Sequence, residues 1–193
     1  MKKMKSLLAG ACAAVLLCSC SGTGSVQTTE KGTQWQWEKG TVVVKNPGRP
    51  AGQESVIGLA LPKMEVVRVG FVGLGMRGPG AVERFTYIPG TQIVALCDYE
   101  PERAERCQQY LKNASMPKAA VYSGEKGYEE LCKREDIDLV YIAADWLHHF
   151  PIAKCALENN KNVAIEVPSA MNLKECWELV DLSEKNRKHC MIL

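Results

Sequence analysis

Histidine is scarce in this chain, at three of 193 residues: His148 and His149 are adjacent, and His189 stands alone. No acidic or histidine partners sit at ligand spacing from the pair, which excludes a metal centre as the basis of function. A charge excess of one sign is also lacking. Net charge is +2 with 24% charged residues, so nothing points to a nucleic-acid partner. Internal repeats are absent, and no apolar run after the N-terminus approaches the ~20 residues that span a bilayer. Cys97, Cys107, Cys132, Cys155, Cys176 and Cys190 include no C-x-x-C pair. They fall on strand and helix patterns and are expected as small buried hydrophobes rather than as a disulfide framework.

What is present begins with Met1-Lys2-Lys3-Met4-Lys5 and the apolar run from Leu7 to Leu17. A basic start followed by a short apolar stretch is a secretory signal, and the lack of paired arginines argues against the twin-arginine route. Leu17-Cys18-Ser19-Cys20 resembles the bacterial lipobox. That resemblance implies cleavage after Ser19 and lipidation of Cys20, hence an exported bacterial lipoprotein anchored in the periplasm or at the outer membrane. Residues 20–63 are expected to form a tether and an N-terminal arm. Ser21 to about Lys31 is Ser/Thr/Gly-rich and reads as flexible. Trp35-Gln36-Trp37 alternates as a scrap of strand or a surface arm, whose tryptophans are expected to pack on the domain rather than to stack on carbohydrate. Asn46 to Gly52 is a loop by composition.

The organising stretch follows. An apolar strand, Val66 to Val72, runs into Gly73-Leu74-Gly75-Met76-Arg77-Gly78. Gly73, Gly75 and Gly78 fit G-x-G-x-x-G, the turn that brings backbone amides against a dinucleotide pyrophosphate at a helix N-terminus. The first glycine allows the tight turn, the second admits the phosphates, and the third permits helix–strand packing. Asp98 closes the next strand, Gln92 to Asp98, twenty positions after Gly78. A carboxylate there accepts hydrogen bonds from both adenosine ribose hydroxyls, which favours NAD over NADP.

Strands and helices then alternate. Pro79 sits in the first turn of a helix that stops near Pro89-Gly90. Pro101 opens a helix through about Leu111, with Ala104, Cys107 and Leu111 at helical spacing. The spacing predicts strands at Ala119–Tyr122, Asp138–Ala144, Asn162–Val167 and from Cys190 onward. Helices are predicted over Tyr128–Lys133, Phe150–Glu158 and from Asn172 to about Lys188, the last with a capping box at Glu175. Residues 64–193 are therefore an α/β domain, a Rossmann-type doubly wound parallel sheet of about six strands. Its ligand is expected beyond the carboxyl ends of the strands, where Gly73 to Gly78, Asp98, Asp145 to His149 and Glu166-Val167-Pro168 gather. A half-site of this kind without a substrate domain seldom makes an enzyme. A truncated chain lacking a second, α+β domain is the expectation.

At Gly73-Leu74-Gly75-Met76-Arg77-Gly78, Asp98, Trp146-Leu147-His148-His149 and Glu166-Val167-Pro168 the sequence resembles the Gfo/Idh/MocA oxidoreductases. More narrowly it is similar to glycoside hydrolase family 109, the NAD-dependent α-N-acetylgalactosaminidases. The broader family mostly ends its fifth strand Glu-Lys-Pro, with a lysine that assists proton transfer at the sugar; here Val167 takes that place. The resemblance implies hydrolysis by oxidation at sugar C3, loss of the C2 proton with the aglycone, addition of water and re-reduction. It implies cofactor contacts from Met76 and Arg77, from Trp146, Leu147, His148 and His149, and from Glu166 and Val167. It also implies a glycan or glycoconjugate substrate and acid–base groups, a tyrosine and a histidine, beyond Leu193. No catalytic residue is named within the chain, and homo-oligomer assembly is left open. Two rival readings remain: an NAD-dependent sugar dehydrogenase of the same superfamily, and a non-catalytic NAD- or sugar-binding lipoprotein.

Overall fold

The structure is a computed structural model and describes residues 25–28, 34–44 and 48–193. The expected signal segment and Cys20 lie outside the described residues. Three short antiparallel strands come first: β1 (Gln27–Thr28), β2 (Gln34–Glu38) and β3 (Thr41–Val44), in the order β1-β2-β3. The alternating tryptophans are thus part of a true strand, with Trp37 54% exposed. Part of the expected tether is ordered as well, since Gln27 pairs with Trp35 and Thr28 with Gln34.

The main body is built from β4 (Val67–Val72), α1 (Gly78–Phe85), β5 (Thr91–Asp98), α2 (Pro101–Asn113) and β6 (Ala120–Ser123). It continues with α3 (Gly127–Lys133), β7 (Leu139–Ile142), α4 (Trp146–Glu158), β8 (Asn162–Ile165), α5 (Leu173–Asn186) and β9 (Cys190–Ile192). Six parallel strands pair in the order β6-β5-β4-β7-β8-β9. The sheet starts in its middle, grows to one edge, then returns to grow the other way. The reversal between β4 and β7 opens a crevice at the carboxyl ends, where doubly wound sheets bind ligands.

Side-chain alternation along each strand feeds two cores, one per face. Val69 and Phe71 of β4 join Ala81, Val82, Ala104, Cys107 and Leu111 of α1 and α2. Val72 joins Leu131, Ile152, Ala156, Leu157 and Leu179 of α3, α4 and α5 on the opposite face. The predicted stripe Ala104–Cys107–Leu111 is fully buried, and each fully buried leucine contributes roughly 1.5–3 kcal/mol. The cap at Asn172 forms as expected: its Oδ1 accepts from Glu175 N–H at 3.1 Å, while Glu175 Oε2 accepts from Met171 N–H at 2.8 Å.

Three expectations change. The helix expected from Phe150 begins at Trp146, because Asp145 caps it by accepting from Leu147 N–H at 3.0 Å. The strand expected to run through Val167 ends at Ile165, so Glu166 and Val167 lie on the loop beyond it. Cys97, Cys107 and Cys132 are buried, but Cys176 is exposed on the outer side of α5. The arm is also anchored ahead of residue 64. Arg49 forks onto Glu184 with both contacts at 2.8 Å, Gln53 reaches the same carboxylate at 3.0 Å, and Arg187 donates to the Glu54 and Ser55 carbonyls.

Candidate functional site

The crevice is an open cleft of about 1170 Å³ whose walls are the glycine turn, the end of β5, the first turn of α4 and the loop after β8. The glycine turn is set by backbone geometry. Gly73 has φ +90°, and a Cβ there would lie 2.4 Å from Ala144 N and 2.5 Å from the Ala143 carbonyl carbon. A Cβ on Gly78 would lie 2.0 Å from Gly73 O, so only glycine lets α1 pack this tightly on the turn. Gly75 differs, with Arg103 Nη1 at 3.5 Å as the nearest atom to such a Cβ. Its free face is turned to the cleft. Arg77 precedes α1 without capping it through its side chain, so the first-turn amides keep their donors for an anion. Met76, 94% exposed, and Arg77 stand at the mouth.

Asp98 is 5% exposed and holds the turn in place. Its Oδ2 accepts from Leu74 N–H at 2.6 Å and its Oδ1 from Glu100 N–H at 3.0 Å. The sequence reading assigned it a ribose role only; the structure adds that it braces the loop it faces. A carboxylate has about four acceptor sites, so these bonds leave room for a hydroxyl. Beside it, burial and then the Asp98 charge push the Cys97 thiol up to about 12, which removes it as a nucleophile at neutral pH.

Helix α4 carries the second wall. Trp146 is 62% exposed and Leu147 74% exposed on its first turn, both at the cleft. His148 points outward and pairs with Asp145 Oδ2 at 2.6 Å. Burial raises the Asp145 carboxyl, but His148 and the Leu147 and His148 amides outweigh it and hold it below its ordinary value. His149 turns inward, 1% exposed, with Nδ1 2.8 Å from the Pro168 carbonyl. A carbonyl only accepts, so Nδ1 carries a proton, and in the neutral ring Nε2 then presents a lone pair. Among the described residues, that Nε2 is the buried side-chain nitrogen or oxygen without a hydrogen-bond partner. A buried acceptor left unpaired costs roughly 1–3 kcal/mol, and a ligand donor in the cleft would offset it.

The third wall is Glu166 and Val167. Glu166 Oε1 accepts from Tyr141 O–H at 3.1 Å, and Val167 is 59% exposed at the rim. Tyr141 was not singled out from sequence, because a tyrosine inside an apolar strand looks like core. Nor were Tyr99, Arg103, Gly124 and Tyr128, which line the cleft. Every residue assigned to the cofactor from sequence reaches this one place except Gly78, which packs beneath it. An uncapped helix start, a glycine open to the cleft and an orphaned buried imidazole fit a dinucleotide.

A family model described as an oxidoreductase family with an NAD-binding Rossmann fold matches residues 67–193. Glycosyl hydrolase family 109 protein 4 of Phocaeicola vulgatus is 78% identical, over 100% of this chain and 37% of that protein. Glycosyl hydrolase family 109 protein 1 of Bacteroides thetaiotaomicron is 53% identical, over 98% of this chain and 39% of its own length. The chain thus spans little more than a third of these curated relatives. Myo-inositol dehydrogenase from Lactobacillus casei, solved with NAD(H) and myo-inositol, superposes with a TM-score of 0.56 at 28% identity, covering 66% of this chain and 36% of that one. An NAD-binding protein from Listeria innocua gives a TM-score of 0.56 at 25% identity, covering 65% of this chain and 34% of that one. With the family's fold, its glycine turn and its cofactor cleft all present, the chain belongs to the Gfo/Idh/MocA oxidoreductases, the family of the NAD-binding Rossmann fold.

Proposed function

We propose that this chain is the cofactor-binding part of a glycosidase that releases terminal α-N-acetylgalactosamine from a glycan or glycoconjugate. The chemistry NAD supplies when bound is removal of hydride from sugar C3 and its return within the same turnover, so no external redox partner is needed. The residues of this chain bind and orient. The α1 N-terminus and Gly75 receive the pyrophosphate, Asp98 the ribose, and His149 Nε2 accepts a donor at the nicotinamide end. Glu166, held by Tyr141, and Val167 border the same end.

The observation that carries the glycosidase reading is Val167, exposed at the rim where most of the wider family has a lysine. A valine exchanges no proton, so sugar dehydrogenation of the common kind lacks its acid–base group here. The 78% identity to a glycosyl hydrolase family 109 protein supports the same reading. A sugar dehydrogenase is the second reading, favoured by the likeness to myo-inositol dehydrogenase. Protein of the length of the curated relatives separates them. The glycosidase cleaves an aryl α-N-acetylgalactosaminide with no net NADH; NADH accumulation on free sugars without cleavage would sink it. Export as a lipoprotein is part of the proposal, resting on Leu17 to Cys20. Metabolic labelling with a tritiated fatty acid should mark the wild type and not Cys20→Ser.

A further inference from the structure

Cys132 of α3 and Cys155 of α4 meet in the fold, both as free thiols. Cys132 is fully buried in the core on that face of the sheet, and Cys155 packs on the same core, partly exposed at its edge. The Cys132 S–H donates to the Cys155 sulfur, and Asn159 Nδ2 stands 3.8 Å from that sulfur. Donation from Cys132 holds the Cys155 thiol below its ordinary value, against burial and the Glu129 and Glu158 charges. The same bond, and then burial, push the Cys132 thiol up. The two sulfurs are therefore unequal. The outer one is reachable and the readier thiolate, and the inner one is shielded.

The pair sits at a joint of the fold. Helix α3 packs on β5 and β6, α4 packs on β7 and β8, and the two helices meet each other over the reversal of the sheet. Tyr128, one turn before Cys132, and Ile152, one turn before Cys155, both line the cleft. With seven residues and no side-chain cap at its start, α3 depends on its neighbours for order. We propose that Cys132 and Cys155 are a redox modification site, closed by a small disulfide or a disulfide-exchange protein into a bond that staples α3 to α4 beneath the cleft wall. The Cys155 thiolate attacks the oxidant's disulfide and forms a mixed disulfide, releasing one thiolate. Cys132 gives its proton to that thiolate and attacks Cys155 Sγ, releasing the second thiolate, which takes up the proton Cys155 had lost. Two cysteine thiols become one S–S bond, and the oxidant's disulfide becomes two thiols. Export would supply such an oxidant in the cell, but reaction of the purified chain does not depend on that reading.

Purified chain equilibrated with oxidised or reduced glutathione, then alkylated in denaturant and digested with trypsin, tests the site. Oxidised wild type should yield Gly127–Lys133 joined to Cys155–Lys161. It should also melt several degrees above the reduced form and exchange the α3 amides more slowly. Cys155→Ser should show neither the link nor any difference between the two buffers. Cys132→Ser should stop with glutathione on Cys155, because no second thiol resolves the mixed disulfide. Cys176→Ser, exposed on α5, should close as the wild type does. Free Cys132 and Cys155 in wild type after oxidised glutathione, a link from Cys132 to Cys97 instead, or glutathione on Cys132 in Cys155→Ser would overturn the site. A link that leaves melting and α3 exchange unchanged would overturn the staple.

Discussion

Tyr141 donates its hydroxyl to Glu166 Oε1 at 3.1 Å, which ties the rim of the cleft to an aromatic cluster beneath the sheet. Tyr141 stacks on Phe71 at 5.1 Å and meets Phe85 edge-on at 5.5 Å. Burial, and then the Glu166 charge, push its phenol above the usual value, so it stays a donor across the physiological range. Tyr141→Phe keeps the ring and deletes only the donor. Stability should fall by about 1 kcal/mol in a thermal melt, and NAD+ affinity should fall several-fold. Unchanged affinity would take Glu166 out of the cofactor contacts.

Two of the turn glycines should separate by readout. Gly78→Ala forces a Cβ to within 2.0 Å of Gly73 O and should leave little folded protein. Gly75→Ala meets nothing closer than 3.5 Å and should melt near the wild type, yet lose NAD+ affinity because the methyl occupies the phosphate approach. A Gly75→Ala protein that melts early and binds normally would reverse this division.

Asp98→Ala removes the acceptor of a buried amide as well as a ribose partner. We expect a loss of roughly 1–3 kcal/mol in stability from the stranded Leu74 N–H, together with markedly weaker NAD+ binding. Full NAD+ affinity in the folded variant would confine Asp98 to bracing the loop.

His149→Phe retains a flat ring in the buried pocket and deletes both the orphaned Nε2 and the Nδ1 donor to the Pro168 carbonyl. Affinity for NAD+ should drop by about tenfold, the worth of one buried hydrogen bond. Equal affinity in calorimetry would show that the lone pair meets no cofactor donor.

The arm gives an acid-sensitive signal. The Arg49 and Gln53 hydrogen bonds hold the Glu184 carboxyl down at about 2, against an ordinary 4.5. A depressed carboxylate stabilises the fold above its unfolded value and loses that contribution as pH falls through its folded one. Amide exchange over residues 48–58, corrected for intrinsic rates, should therefore quicken as pH drops from 4.5 toward 2. Glu184→Gln should exchange fast already at neutral pH and show no such transition.

The strand–turn–helix around Gly73 to Gly78, the α/β alternation and the convergence of Asp98, the Trp146 segment and Glu166 were legible because each rests on local pattern. Strand periodicity, glycine spacing and chain order are one-dimensional properties, and a parallel alternation leaves few topologies. Element ends were less legible. Asp145 starts α4 four residues before apolar spacing suggests, because a cap acts through one side chain and leaves no periodic trace.

What only the tertiary structure decided concerns partners far apart in sequence. Asp98 meeting the Leu74 amide, Tyr141 meeting Glu166, and Arg49 meeting Glu184 all join separate elements across the fold. The inward turn of His149 against the outward turn of its neighbour His148 is likewise a matter of helix phase against the Pro168 carbonyl. Sequence alone determined the fold class and the cofactor, since both follow from backbone-level requirements of a glycine turn between strand and helix. Side-chain roles had to wait for packing, because two adjacent residues of one type differ only in what the folded chain places beside them.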